Sequence, residues 1–249
     1  MGGARRRPAA ARPAAHSDCS RRQNRNAHVP YFQGERIVKI FAIELSSKQG
    51  SIALVEDGVA VAEKSWIENF KNRQQLFDSM AELSVDWDSV DVFAVGRGPG
   101  AFSGMRIGFS VANSLAAPGG QPVYALNSGA ALAAQVGAVR TAVVGDARRN
   151  KVWAGVFSGS ELETKFQLLE RDELAGFVPA DALVVSPDHD RLEDLLANFQ
   201  TLEKTESIFP TAGKLGELVF QRLENGFESE PFEPLYMHPP VFIAPRFPA

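Results

Sequence analysis

Cysteine is almost missing from this chain: Cys19 is the only one in 249 residues. A disulfide framework is therefore excluded, and a thiol nucleophile is not expected. Histidine is nearly as scarce. Of four, His16 and His28 share the arginine-rich start of the chain with Cys19, which leaves His189 and His238 for the body. Neither has a partner at helical or Cys-x-x-Cys spacing, so no zinc or iron site is expected. No apolar run is long enough to cross a membrane, and the N-terminal segment lacks the apolar centre of a secretory signal. A single cysteine without such a signal fits a reducing, cytoplasmic compartment.

What is present is unevenly spread. The chain carries −4 in total, yet its first 36 residues hold eight arginines (5, 6, 7, 12, 21, 22, 25 and 36) against Asp18 and Glu35, a net +6, which leaves −10 for the rest. An Arg/Ala/Pro-rich segment with almost no aliphatic residues cannot form a core, so residues 1–36 are expected to be a disordered tail. Its origin is open between an organelle-type leader, an over-extended start and the remnant of a cleavable tag, since Tyr31-Phe32-Gln33-Gly34 resembles the end of a protease site. A nucleic-acid-binding arm is a further reading. The acidic remainder argues against a broad nucleic-acid surface. Its one compact basic group, Arg148, Arg149 and Lys151, falls on an expected hairpin tip, as a solvated turn or a local RNA contact. With 45% hydrophobic and 22% charged residues, the body can bury the core of one large or two small domains.

The most informative stretch is residues 91–117, DVFAVGRGPGAFSGMRIGFSVANSLAA. An apolar strand runs into Gly96, Gly98, Gly100 and Gly104, with Pro99 between them, and then directly into a helix ended by Pro118-Gly119-Gly120. Ser103 is placed to cap that helix. A glycine loop before a helix N-terminus suits an anion, so Gly96, Gly98, Gly100 and Ser103 form a candidate phosphate loop, although neither the dinucleotide fingerprint nor a P-loop Lys-Ser/Thr is present. Tight strand-to-helix packing is the other reading. Within the helix, Gly104, Gly108, Ala112 and Ala116 recur every fourth position and form a narrow, flat ridge. It suits close approach either to the chain's own sheet or to a helix of another subunit.

Gly96-Arg97-Gly98-Pro99-Gly100-Ala101-Phe102-Ser103-Gly104-Met105-Arg106-Ile107-Gly108 resembles the GRGPGSFTGxRIG signature of the TsaB (YeaZ-type) family, with Ser→Ala and Thr→Ser as its departures. Three weaker likenesses follow the same order: residues 40–47 resemble the family's opening strand and turn, Asp146-Ala147-Arg148 with Val152-Trp153 its DAR…VY segment, and Glu233-Pro234-Leu235-Tyr236 its EPxYL tail.

Coarse periodicity predicts a meander over Val38–Glu44, Ser51–Glu56 and Val59–Trp66, a helix over Asn72–Ser84, a strand over Asp91–Val95, a helix over Gly104–Ala117 and a strand over Gln121–Ala125. A hairpin at 141–158 opens a second half, with strands near Phe166–Leu169 and Ala182–Ser186 and helices over Asp172–Phe177, His189–Asn198 and Thr211–Gly226. Alone this supports an α/β fold with mixed sheets. The resemblance implies two actin/Hsp70/sugar-kinase-like (ASKHA) lobes, at 37–138 and 139–249, the second ending in a helix that crosses the first lobe and an extended Pro-rich end.

The resemblance further implies a non-catalytic scaffold subunit for threonylcarbamoylation of the adenosine just 3′ of the tRNA anticodon. Family members pair with a larger paralogue, TsaD, whose His-x-x-x-His metal site carries the reaction, and TsaE, an ATPase, and tRNA complete the assembly. The expected partner surface is the ridge Gly104, Gly108, Ala112 and Ala116 with Arg106, together with Leu76 and Met80 of the preceding helix; a homodimer is possible when the chain is alone. No cofactor is expected beyond weak nucleotide binding. The alternative is a small-molecule kinase or ATPase with phosphate at Gly96–Gly104 and a metal at Glu44 or Asp146. Against it, Glu44 stands where such kinases carry Asp, a longer side chain that strict Mg²⁺ geometry tolerates poorly. Asp146 can equally cap a turn, and no Gly-Gly doublet follows residue 130 to cradle adenosine. A peptidase reading has no His, Cys or metal pattern behind it.

Overall fold

The computed structural model describes residues 36–68, 74–202 and 206–239. The arginine-rich segment through residue 35 and Asn72, the expected start of a helix, lie outside them. No helix among the described residues is long and apolar enough to cross a membrane.

A meander opens the fold. Strands β1 (Lys39–Glu44), β2 (Gln49–Glu56) and β3 (Val59–Ile67) pair antiparallel, and Asp57-Gly58, with φ of 47° and 79°, makes the two-residue turn that Asp-Gly favours. Helix α1 (Gln75–Leu83), a 3-10 turn at Trp87–Ser89, strand β4 (Val92–Gly96), helix α2 (Phe102–Ala116) and strand β5 (Val123–Leu126) follow. β4 lies parallel beside β1 and β5 parallel beside β4, so the order is β3-β2-β1-β4-β5. Helix α3 (Ser128–Val136) leads to a second meander of β6 (Arg140–Arg148), β7 (Lys151–Ser158) and β8 (Glu161–Glu170). After α4 (Leu174–Phe177), β9 (Leu183–Val185) joins β6 in parallel, and α5 (His189–Leu196) and α6 (Ala212–Glu224) close the fold. The second order, β8-β7-β6-β9, repeats the first four strands of the other sheet. The fold is α/β, built on two mixed sheets of like strand order.

Alternation along the strands sorts the core into layers. Ile40, Ala42, Val92 and Ala94 face α3 and α6, whose far side meets Val143, Trp153 and Phe157 of the second sheet. Phe41, Ile43, Phe93 and Val95 face α1 and α2. On the outer face of the second sheet, Ala142 and Val144 meet Leu174 of α4 and Leu192 and Leu196 of α5. β1 and β4 are covered on both faces, which is why they read as continuous apolar runs. α6 is pinned to the first sheet by its own N-terminus: the N–H of Ala212 donates to Ser51 Oγ at 2.9 Å and that of Gly213 to Glu63 Oε1 at 2.9 Å, while Thr211 Oγ1 accepts from Lys214. These are the orphan donors that every helix start must satisfy.

Three expectations change. α2 begins at Phe102, with Ala101 as its N-cap residue and no side-chain cap, so Ser103 does not cap it. α3 was not expected, because an Ala-rich helix buried on nearly all sides has no amphipathic period; Asn127 Oδ1 accepting from Ala130 and Gly137 at φ 68° mark its ends. β8 is longer than foreseen, with its buried residues alternating with charged ones.

The small-residue ridge of α2 belongs to the chain's own core. A Cβ on Gly108 would lie 3.4 Å from Val95 Cγ2 and 3.7 Å from Ile43 Cγ2, and one on Gly104 only 1.9 Å from Leu45 O. Ala112 and Ala116 join the cluster of Phe41 and Phe93, in which Leu76 is buried and against which Met80 rests. The expectation that Gly104, Gly108, Ala112, Ala116 and Leu76 meet a partner is corrected: smallness here lets α2 lie close on β1 and β4, while Met80 is only partly covered.

Gly104→Ala is accordingly expected to destabilise the chain by about 1–3 kcal/mol, because its methyl group meets a backbone oxygen that cannot yield. Gly108→Ala makes only ordinary contact and should be neutral or gain up to about 1 kcal/mol of helix propensity, whereas Gly108→Leu overpacks the same spot. Urea unfolding of the three variants checks the order; a greater loss in Gly108→Ala than in Gly104→Ala would contradict it.

Candidate functional site

The signature loop leaves β4 at Gly96 and enters α2 at Phe102. Its N–H groups are largely taken within the chain. Arg97 donates to Leu126 O at 2.9 Å, Gly98 to Ser128 Oγ at 3.0 Å and Ala101 to Ser46 O at 2.6 Å. The last bond sets the helix start. Glycine is required for close approach at Gly96, where a Cβ would fall 1.8 Å from Glu44 Oε2, and for its positive φ of 87° at Gly98, beside Met105. Gly100 lies against Ser46 O. In place of the open phosphate cradle expected of Gly96, Gly98, Gly100 and Ser103, the loop is a close-packed junction between β4, the turn after β1 and α2.

Beneath it lies Glu44, fully buried at the end of β1. Its Oε1 accepts from the N–H of Ser46 at 2.7 Å, while Oε2 sits against Gly96 and Ser128 without a well-formed hydrogen bond. Burial raises its pKa above the ordinary 4.5, with the bonds to Ser128 and Ser46 pulling the other way.

Asp146 stands at the end of β6. Its Oδ1 accepts from the N–H of Arg148 at 2.8 Å, its Oδ2 pairs with Arg148 at 3.0 Å and Arg191 at 3.6 Å, and its own N–H donates to Asp188 at 3.0 Å. This is the turn-capping role. Asp188 is itself pushed up by burial. The hairpin tip then turns through Arg149 and Asn150 at φ 53° and 62°, the left-handed pair of a tight hairpin turn, beside a bulge between Asp146 and Arg148. Arg148, Arg149 and Lys151 stand there as foreseen, but Arg148 is paired with Asp146 and Lys151 with Glu170. His238, which had no expected role, donates from Nε2 to Ala147 O on the same bulge at 2.6 Å.

Two large apolar side chains of α2 remain exposed, Phe102 at 56% and Ile107 at 48%, with Arg106 stacked over the Phe102 ring. Phe77 of α1 is 57% exposed.

Comparison with known proteins fits this arrangement. A family model described as TsaD, tRNA N6-adenosine threonylcarbamoyltransferase, matches residues 71–166. Over 202 residues the chain is 25% identical to the tRNA threonylcarbamoyladenosine biosynthesis protein TsaB of Escherichia coli (strain K12), covering 74% of this chain and 79% of that protein. YeaZ from Pseudomonas aeruginosa superposes with a TM-score of 0.66 at 29% identity, over 80% of this chain and 99% of its own. A second Pseudomonas aeruginosa structure, of an uncharacterized protein with similarity to peptidase YEAZ, gives 0.68 at 28%, over 81% and 100%. The chain is similar in sequence and fold to TsaB/YeaZ-type proteins.

In this chain the arginine of the signature has a partner that sequence reasoning missed. Arg97 is 7% exposed; its Nε donates to Glu233 O at 3.0 Å and its Nη1 to Glu230 Oε2 at 3.2 Å, while its carbonyl accepts from Leu235 at 2.7 Å. Asn127 Nδ2 donates to the other Glu230 oxygen at 2.6 Å. Residues 227–239 thus form a strap along β5 and over the loop. The only signal for it was the joint presence of the Gly-Arg-Gly and Glu-Pro-x-Tyr motifs.

Because Glu44 has a raised pKa, its contribution to stability is complete below the unfolded carboxyl pKa and is lost as pH rises through the folded value. Glu44→Gln, a neutral isostere, should therefore melt progressively higher relative to the native chain as pH is raised from about 4.5 to about 8. A difference that shrinks over this range in thermal melts would show that the buried carboxylate is stabilised as an anion.

Proposed function

We propose that this chain is a non-catalytic subunit in the biosynthesis of threonylcarbamoyladenosine in tRNA, and that it holds a TsaD-type paralogue in a competent form. The observation that carries the reading is the outward face of α2, where Phe102, Arg106 and Ile107 are exposed on a helix clamped to its own sheet from the other side. An arginine stacked on an aromatic ring, flanked by exposed apolar side chains on a rigid element, is the composition of a protein-binding hot spot. Phe77 of α1 extends the surface. The likeness of the chain to the Escherichia coli protein supports the pathway. A TsaE-type ATPase and tRNA would join through the complex, with Arg149 as a local contact for RNA, and a free chain would pair with itself through the same face.

The alternative, a small-molecule kinase or ATPase, draws less support. It needs a carboxylate facing the cleft and free N–H donors in the loop, whereas Glu44 lies under Gly96 and Asp146 caps its own hairpin. Any nucleotide binding would be weak.

Ile107→Glu should weaken capture of the TsaD-type paralogue from the same organism by at least about tenfold with an unchanged melting temperature, since a charge replaces a half-exposed anchor. The isolated chain should hydrolyse Mg-ATP no faster than a Glu44→Ala, Asp146→Ala double variant. Retained capture, or turnover that disappears in the double variant, would overturn the reading.

A further inference from the structure

The strap at 227–239 has little structure of its own. Within it, Ser229 Oγ donates to Glu230 O at 2.8 Å and the N–H of Glu233 to Pro231 O at 2.7 Å, both local bonds. Its other bonds reach separate elements of both halves. In β5, the Tyr124 hydroxyl donates to Glu228 O at 2.6 Å, while Ala125 donates to Ser229 Oγ at 2.9 Å and accepts from the N–H of Glu230 at 3.0 Å. Arg97 of the loop and Asn127, the cap of α3, hold the two carboxylate oxygens of Glu230. Leu235 donates to Arg97 O, and His238 at the far end donates to Ala147 O on the bulge of β6. The strap thus runs from the edge of the first sheet to the hairpin of the second.

Its apolar side chains anchor it only in part. Phe232 stacks on Phe109 with ring centroids 4.8 Å apart and Tyr236 on Phe102 at 4.9 Å, yet the two strap rings stay 47% and 45% exposed. Such a ring gains about half of the burial that a core ring gains, so the polar anchors decide whether the strap stays in place. The anchor at Arg97 is suited to release. Undocking returns a nearly buried guanidinium and the Glu230 carboxylate to water, so regained hydration offsets the lost pair.

We infer that residues 227–239 dock and release as one unit, a latch that couples the signature loop at Arg97 to the β6–β7 hairpin at Ala147. The inference concerns the chain alone and does not rest on the function proposed above. Residues 230, 235 and 238 are anchored in close succession, so each bond holds the next near its partner, and losing one lowers the effective concentration of the others. Release has two consequences. The N–H and C=O of Ala125 lose their partners at a sheet edge, and Ala147 O loses its bond from His238, which loosens the bulge that carries Arg148. The strap is then the two-state element that both ends bias: whatever fixes the hairpin favours the docked strap at Arg97, and the reverse holds equally.

Native-state amide exchange on the full chain, followed at rising urea concentration, tests the latch without any substitution. The N–H groups of Ala125, Glu230 and Leu235 report the contacts of the strap with β5 and the loop. They should open together, with rates, corrected for local sequence, that agree within about threefold, exceed those of β1 and β4 by at least about tenfold and depend weakly on urea. His238→Ala, at the far end, should speed exchange at Glu230 and Leu235 by about fivefold or more and leave β1 and β4 unchanged. In the other direction, Glu230→Gln should speed exchange at Arg148, whose N–H is held by Asp146 on the bulge. Strap rates that match those of β1 and share their urea dependence show that the strap opens only with the whole chain, which overturns the inference. Rates that differ among the three amides by more than about tenfold show piecemeal fraying, which also overturns it. An effect of His238→Ala confined to the hairpin, or of Glu230→Gln confined to the strap, shows that the two ends are independent and removes the coupling.

Discussion

The structure depends on one close contact, the seating of the loop after β4 on the turn after β1. Ala101 donates to Ser46 O at 2.6 Å, Gly96 lies on the carboxyl of Glu44, and Gly104 passes over Leu45 O. Neither glycine approach tolerates a Cβ, so the spacing of Gly96 and Gly104 is a packing requirement before it is anything else. From it follow the early start of α2, the closeness of α2 to β1 and β4, and the turning outward of Phe102 and Ile107.

The same contact fills the place where the sequence suggests a phosphate loop and a metal-binding carboxylate. The carboxylate at the end of β1 is covered by the loop rather than open to a cleft, and most of the loop's donors are bound to Leu126, Ser128 and Ser46. Under the proposed function, a rigid helix that exposes Phe102 and Ile107 suits docking, since little order remains to be imposed on binding.

Much of this was legible from residues. The Asp57-Gly58 turn, the meander, the strand-loop-helix unit at 91–117 and the repetition in the second half all followed from period and turn chemistry. The facing of α2 did not. Its buried side mixes Gly108 and Ala112 with Met105 and Phe109, while Phe102 and Ile107 lie exposed among Ser103, Arg106, Ser110 and Asn113, so apolar residues on both sides blur the period. α3 was hidden by the opposite cause, burial on almost every side. The Arg97–Glu230 pair joins residues 133 positions apart, a distance that no local pattern reports.

Amide hydrogen exchange on the full chain, alone, with Mg-ATP and with the TsaD-type paralogue, tests the central claim most directly. A closed junction predicts that the N–H groups of Arg97, Gly98 and Ala101 exchange as slowly as the central strands and do not respond to Mg-ATP, while the paralogue slows exchange in α1, α2 and the strap. Fast exchange in the loop that Mg-ATP suppresses would contradict it, and would return the glycines to a phosphate-binding role.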